Sequence, residues 1–252
     1  MSSFRVIPTL LLKNGGLVKG RLFKNHKYVG DPVNAVRIFN AKEVDELFFF
    51  DICSTLNGHH IDLTLVSKLA NECYMPFAVG GGINSLNFIS KLIELGVEKV
   101  VINSHAVSNP EFIKDASTMF GSQAIVVCLD YKTVKGKNKI FTHSGTIETN
   151  LEVLDFARLA LDMGAGELVL NSIERDGIQG GFDTKLIKQI SESVSIPVIG
   201  GCGAGNINHF SDLKSNTVAS AATAGSFFVL HGSLDAVLIS YPKKSQLVDL
   251  SV

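Results

Sequence analysis

The feature that most constrains this chain is that it repeats its own plan. Displaced by 121 positions, Asp45-Glu46-Leu47-Phe48 falls on Gly166-Glu167-Leu168-Val169, Pro76 falls on Pro197, and Gly80-Gly81-Gly82 falls on Gly201-Cys202-Gly203. Strand candidates recur throughout: Val6–Leu11, Leu47–Ile52, Phe77–Val79, Lys99–Ile102, Ala124–Leu129, Glu167–Asn171, Val198–Gly200 and Val218–Ala222. Several are apolar without alternation, the pattern of a strand buried on both faces of a parallel sheet. Helical segments separate them, so the choice lies between a closed barrel and a doubly wound open sheet. Two four-strand halves joined head to tail close into a barrel, and an open sheet has no need of that symmetry. The expectation is an α/β chain, a single (β/α)8 TIM barrel over 1–252 with half-barrels at about 1–120 and 121–242.

Local punctuation supports this reading. Asp31-Pro32 and Asn109-Pro110 each place a side-chain acceptor before a proline whose missing N–H costs nothing at a helix start. Ser85 precedes the stripe Leu86, Ile89, Leu92 and Ile93, which Gly96 stops; Asp183 precedes Leu186, Ile187 and Ile190 in the same way. With 46% hydrophobic residues the chain can bury a large core, and its net charge of −1 excludes a nucleic-acid or membrane-surface footprint. No apolar run approaches the ~18 to 20 residues that span a bilayer, and Met1-Ser2-Ser3-Phe4-Arg5 lacks the features of a signal peptide, so a cytoplasmic protein is expected. Cys53, Cys73, Cys128 and Cys202 are 20, 55 and 74 residues apart, which matches no metal-binding spacing. They read as small buried hydrophobes, and His59-His60 reads as solvated loop. No metal and no cofactor is expected.

In such a barrel the chemistry gathers at the C-terminal ends of the strands. Glycine clusters fall there: Gly80-Gly81-Gly82 after the third strand, and Gly200-Gly201-Cys202-Gly203-Ala204-Gly205 after the seventh. Glycine lets backbone N–H groups approach an anion closely, although it also makes tight turns with no ligand at all. Asn103-Ser104 and Ala224-Gly225-Ser226 follow the fourth and eighth strands, each opening a short helix. Two phosphate cradles related by the repeat follow from this placement. Asp51 and Asp130 end their strands, and Glu174-Arg175-Asp176-Gly177 follows the sixth; carboxylates at a barrel mouth suit acid/base work.

These residues resemble a known family over essentially the whole chain: HisF, the cyclase subunit of imidazole glycerol phosphate synthase. The resemblance rests on Arg5-Val6-Ile7-Pro8, Val18-Lys19-Gly20, Gly30-Asp31-Pro32-Val33, Asp51-Ile52, Val79-Gly80-Gly81-Gly82-Ile83, Ile102-Asn103, Gly121-Ser122-Gln123, Ser172-Ile173-Glu174-Arg175-Asp176-Gly177 and Gly203-Ala204-Gly205. It implies a barrel that receives ammonia from a HisH-like glutaminase docked at the strand starts and delivers it to a two-phosphate substrate at the mouth. By resemblance, Asp130, Lys19 and Asp51 are the catalytic candidates. Gly81, Gly82, Asn103, Ser104, Asp176, Gly177, Gly203, Ala224, Gly225 and Ser226 are the candidate phosphate contacts. Arg5, Glu46, Lys99 and Glu167 match the family's ammonia gate; on physics alone four such charges serve equally as a paired structural plug.

One departure stands out. Where the family reads Cys-Leu-Asp-Val-Lys-Asp-Gly, this chain reads Thr9-Leu10-Leu11-Leu12-Lys13-Asn14-Gly15, so Leu11 replaces one of two catalytic aspartates. A positioned acid/base group is typically worth 10²- to 10⁴-fold, and leucine transfers no proton. Gly225 also stands where the family has a serine. An intact gate with a missing aspartate, together with the segment Ala236–Pro242, resembles the HisF paralogues of surface-polysaccharide (O-antigen) pathways. There a sugar amidotransferase is the further partner and an acetamidino sugar the product. The alternative is a functional cyclase subunit, a lyase of histidine biosynthesis.

Overall fold

The structure is a computed structural model that describes residues 4–232 and 234–247; Met1 to Ser3 of the expected N-terminus lie outside the described residues. Its strands are β1 (Arg5–Lys13), β2 (Gly16–Arg21), β3 (Lys24–Gly30), β4 (Leu47–Asp51), β5 (Phe77–Gly80), β6 (Lys99–Ile102), β7 (Ile125–Val134), β8 (Lys137–Thr142), β9 (Ile147–Glu152), β10 (Glu167–Ser172), β11 (Val198–Gly201) and β12 (Ala221–Ala224). Eight of them pair in parallel in the order β1-β4-β5-β6-β7-β10-β11-β12, and β12 pairs back onto β1, closing a (β/α)8 barrel. The helices outside it are α1 (Pro32–Ala41), α2 (Ser54–Asn57), α3 (Leu63–Ala70), α4 (Leu86–Glu94), α5 (Ser104–Ser108), α6 (Glu111–Phe120), α7 (Val153–Asp162), α8 (Thr184–Ser191), α9 (Ile207–Asn216), α10 (Ser226–Val229) and α11 (Lys244–Leu247).

The expected caps form at α1, α4 and α8: Asp31, Ser85 and Asp183 accept from the backbone N–H groups of Asn34, Phe88 and Leu186. Asn109 does not cap α6; Pro110 takes the cap position in helical conformation, with no side-chain cap bond. The eighth strand runs over Ala221–Ala224 instead of Val218–Ala222. Val218 is branched and apolar, which favours a strand by propensity, but it lies in the preceding loop and is 64% exposed. Of the four cysteines, all free, only Cys128 is fully buried.

The stretch after the first strand is a pair of β-hairpins. Asn14-Gly15 (φ 53° and 79°) turns β1 into β2, and Leu22-Phe23 (φ 54° and 60°) turns β2 into β3. Both are two-residue turns with two left-handed residues, for which Asn-Gly is the preferred pair and Leu-Phe a strained one. A third such turn, at Lys135-Gly136, joins β7 to β8, so the first and fifth barrel strands both extend into hairpins over the mouth.

Two apolar cores result. The larger fills the space between strands and helices, and the smaller lies inside the barrel, with Ile7, Phe48, Ala78, Val101, Val126, Cys128, Val169, Ile199 and Ala221. After α10 the chain forms a two-stranded ribbon, β13 (Leu230–His231) with β14 (Ala236–Val237), and runs back to the strand starts. There Tyr241 stacks on Phe228 at 5.4 Å and donates its hydroxyl to Val6 O at 2.9 Å.

Candidate functional site

Strand pleating sets the axis of the site, because residues i, i+2 and i+4 share one face. On β6 the inward face reads Lys99, Val101 and Asn103; on β7 it reads Val126, Cys128 and Asp130; on β10 it reads Glu167, Val169 and Asn171. Charge at the base, an apolar waist and polar groups at the mouth follow from that period.

At the base, the Arg5 guanidinium bonds Glu46 through Nη1 and Glu167 through Nη2, while Lys99 Nζ reaches the same two carboxylates at 2.7 Å and 3.0 Å. Each charge therefore touches two of opposite sign. The side chains of Glu46 and Glu167 are 3% and 7% exposed, those of Arg5 and Lys99 24% and 21%. Isolated carboxylates that deep would be costly, and mutual pairing makes them tolerable. Burial works against the charge on Arg5, and the two carboxylates outweigh it, so its pKa is raised.

At the opposite end lies a cavity of about 400 Å³. Every expected catalytic and phosphate position lines it: Leu11, Lys19, Asp51 and Asp130, with Gly81, Gly82, Asn103, Ser104, Asp176, Gly177, Gly203, Ala224, Gly225 and Ser226. Arg5, Glu46, Lys99 and Glu167 are absent from this lining and form the separate basal ring. Among the described residues, Ser226 Oγ is buried with no hydrogen-bond partner, as is Ser54 Oγ.

Asp130 is 8% exposed. Its Oδ1 accepts from Asn171 Nδ2 at 3.1 Å and from the Cys128 thiol at 3.7 Å. Burial pushes its pKa up to about 6 against the pull of these donors, and the charge of Asp176 adds to the rise. Leu11 and Phe50, paired in register across β1 and β4, add an apolar shelf to the lining of the same cavity.

Lys19 and Asp176 form a buried ion pair. Asp176 also accepts from Phe23 N through Oδ2 at 3.1 Å and from Leu22 N through its backbone oxygen at 2.9 Å, so it holds both strained turn residues. Gly177 (φ 70°) allows the contact, since a Cβ there would lie 2.5 Å from Gly20 O. Asp51 is otherwise engaged: its Oδ1 accepts from Cys53 N and Ser54 N at 2.9 Å and 3.1 Å, bracing the turn before α2.

The sequence reading missed Asn171, Cys202, Phe23, His26, His105 and His143, which also line the cavity. The turn signal Asn14-Gly15 was available for the lid that carries Phe23 and His26. His59-His60 does lie in a loop, but His60 is half-buried, stacked on Phe88 at 4.0 Å with Nδ1 2.7 Å from Gly82 O. Among the described residues no group of three or more His, Cys, Asp and Glu is placed to hold a metal, and no helix is long and apolar enough to cross a membrane.

An eight-stranded parallel βα barrel with ionisable groups converging at the C-terminal ends of its strands defines a (β/α)8 protein with its chemistry at the mouth. The profile of the histidine biosynthesis protein family matches residues 5–235. A Pseudomonas aeruginosa protein provisionally named imidazole glycerol phosphate synthase subunit hisF2 is 46% identical over 244 residues, 96% of this chain and 97% of that one. A Leptospira interrogans protein provisionally named subunit HisF is 42% identical over 242 residues, 95% of each chain. Imidazole glycerol phosphate synthase subunit HisF of Staphylococcus carnosus is 44% identical over 226 residues, 89% of each chain. The chain belongs to the histidine biosynthesis protein family and, within it, to HisF.

Proposed function

We propose that this HisF-type barrel docks a HisH-like glutaminase at its base and passes ammonia through the waist to the mouth. In this reading Arg5, Glu46, Lys99 and Glu167 are the gate, and the histidine-pathway cyclase activity is impaired. The observation that carries it is the contrast between an intact basal ring and Leu11 at the mouth. The uncharged NH₃ molecule crosses an apolar waist far more readily than ammonium, because desolvating an ion costs several kcal/mol or more. Loss of one of two positioned acid/base groups predicts a cyclase slowed by about 10²- to 10⁴-fold. The acceptor of the ammonia is then a sugar amidotransferase's substrate, with an acetamidino group of surface polysaccharide as the product, made in the cytoplasm.

Asp130 is the remaining acid/base group, with Lys19 beside it. The first phosphate cradle comprises Gly81, Gly82, Asn103 and Ser104, and the second comprises Asp176, Gly177, Gly203, Ala224, Gly225 and Ser226. The decisive experiment is cyclase turnover with ammonium salt and the two-phosphate substrate of the family. A rate within tenfold of an authentic cyclase would overturn the reading, and the alternative, a working lyase of histidine biosynthesis, would then stand. That alternative needs a substitute for the missing aspartate, and Asp51, with Oδ1 held by two backbone donors, is poorly disposed to serve.

A further inference from the structure

Three adjacent strands bring Asp130, Asn171 and Gly201 abreast at the mouth: Asn171 on β10 pairs in register with Asp130 on β7 and with Gly201 on β11. The Asn171 side chain turns its two ends to different neighbours. Its Nδ2 donates to Asp130 Oδ1 at 3.1 Å and to Cys128 Sγ at 3.2 Å, while its Oδ1 accepts from the Cys202 thiol at 3.8 Å. Only one of the two amide orientations suits a neighbouring carboxylate, because the amide nitrogen donates and the amide oxygen cannot.

The slot around Asn171 is shaped for that orientation. A Cβ on Gly201 would lie 2.1 Å from Asn171 Oδ1, so β11 carries no side chain where the amide oxygen rests. The next residue does the opposite. Cys202 places a side chain at φ 65°, in the left-handed region that favours glycine, although its neighbours on both sides, Gly201 and Gly203, are glycines. Backbone strain of this kind collects at functional sites, where surrounding contacts hold it in place. The contact that Cys202 makes is from its thiol to the amide oxygen of Asn171. Burial raises the pKa of Cys202, so the thiol keeps its proton and acts as a donor.

We propose that Cys202 is a positioning residue for Asp130: its S–H holds the Asn171 amide with the nitrogen towards the carboxylate. The consequence is a tuned proton affinity. Burial pushes the pKa of Asp130 up to about 6, and the Asn171 amide is the strongest pull against that rise. Released from Cys202, the amide is free to present its oxygen instead, which favours the protonated carboxyl. Cys202 therefore helps keep Asp130 ionised at neutral pH and able to accept a proton. The relay bears on the proposed function through Asp130 alone, and it is measurable with neither ammonia nor a glutaminase.

The test is a pH titration of the full chain followed at the carboxyl carbons of isotope-labelled aspartate, with Asp130 assigned by its loss in Asp130→Asn. Cys202→Gly suits the left-handed backbone and removes the thiol; it should raise the Asp130 midpoint by about half a pH unit, and Asn171→Ala should raise it by about one. Cys202→Ser keeps a donor and should stay within about 0.2 of the original midpoint. Adding Cys202→Gly to Asn171→Ala should change nothing further, because the effect passes through the amide. The other charged or titratable groups facing Asp130 are Cys128 on its own strand and Asp176 with its partner Lys19, while Asp51, His26, His59, His105 and His143 line the rest of the cavity. All of these are shared by the chains compared. An unchanged or lowered midpoint in Cys202→Gly, or an undiminished effect without Asn171, would overturn the relay. A raised midpoint with unaltered cyclase turnover would leave the relay standing and remove Asp130 from the acid/base role assigned to it above.

Discussion

The two ends of the barrel handle charge in opposite ways. At the base, two cations and two carboxylates alternate so that every charge touches two partners. At the mouth, three aspartates line one cavity with a single lysine, and an apolar shelf of Leu11 and Phe50 takes up one side. The difference teaches that the base neutralises its charges pair by pair, while at the mouth Asp130 is held by neutral donors among the described residues. The base is also held mechanically. Val6, next to Arg5, lies below the point where β1 begins to pair with β4, and its N–H and C=O are taken by Asp45 Oδ2 at 3.0 Å and by the Tyr241 hydroxyl at 2.9 Å.

The contrast breaks most severely at the base. Glu46→Ala should leave Arg5 and Lys99 each short of a partner and cost about 3 kcal/mol in denaturant unfolding at pH 7, the lower part of the range for opening a buried pair because both cations are partly hydrated. A loss below about 1 kcal/mol would mean that the ring behaves as a surface network.

Asp130→Asn should do the reverse. The folded-state pKa of about 6 lies above the unfolded value, so Asp130 favours the fold most fully below the unfolded pKa, and that contribution is lost as pH rises through 6. The two chains should match in stability near pH 4. By pH 8 the variant should be roughly 3 kcal/mol more stable, because each pH unit separating the folded and unfolded pKa values is worth about 1.4 kcal/mol. Urea midpoints at the two pH values check this. A variant less stable at pH 8 would show that the carboxylate is already compensated and that the mouth balances its charge as the base does.

The smallest effect belongs to Gly225→Ala. An added Cβ would meet the Lys19 stem at 3.2 Å and Thr9 O at 3.2 Å on a backbone of ordinary φ, −109°. Because a lysine stem can give, the expected cost is under about 1 kcal/mol by thermal unfolding. A loss above about 2 kcal/mol would show that the Lys19–Asp176 pair is as rigid as the basal ring.

Much of the molecule was legible in its sequence, for a local reason. Strand positions, the caps of α1, α4 and α8, and the glycine clusters depend on residues close in sequence. What failed locally failed at particular residues. Leu22-Phe23 has no turn signature, and it takes its left-handed conformation because Asp176, more than 150 residues away, binds both amides. Val218 promises a strand that burial does not deliver. Asn171 carries no motif, and it matters only because β10 pairs with β7 so that Asn171 sits beside Asp130.

By itself the sequence determined the repeat, the alternation of strand and helix, the charges at the strand starts and the replacement at position 11, because pleat period and chain order decide which residues reach the base and which the mouth. Only the tertiary structure decided how those charges pair. The Arg5–Glu167 contact spans 162 positions, and Lys19 is committed to Asp176 across 157. Such pairings arise when barrel closure brings distant strands and hairpins together, and among the described residues they leave the buried carboxylate of Asp130 with neutral donors only.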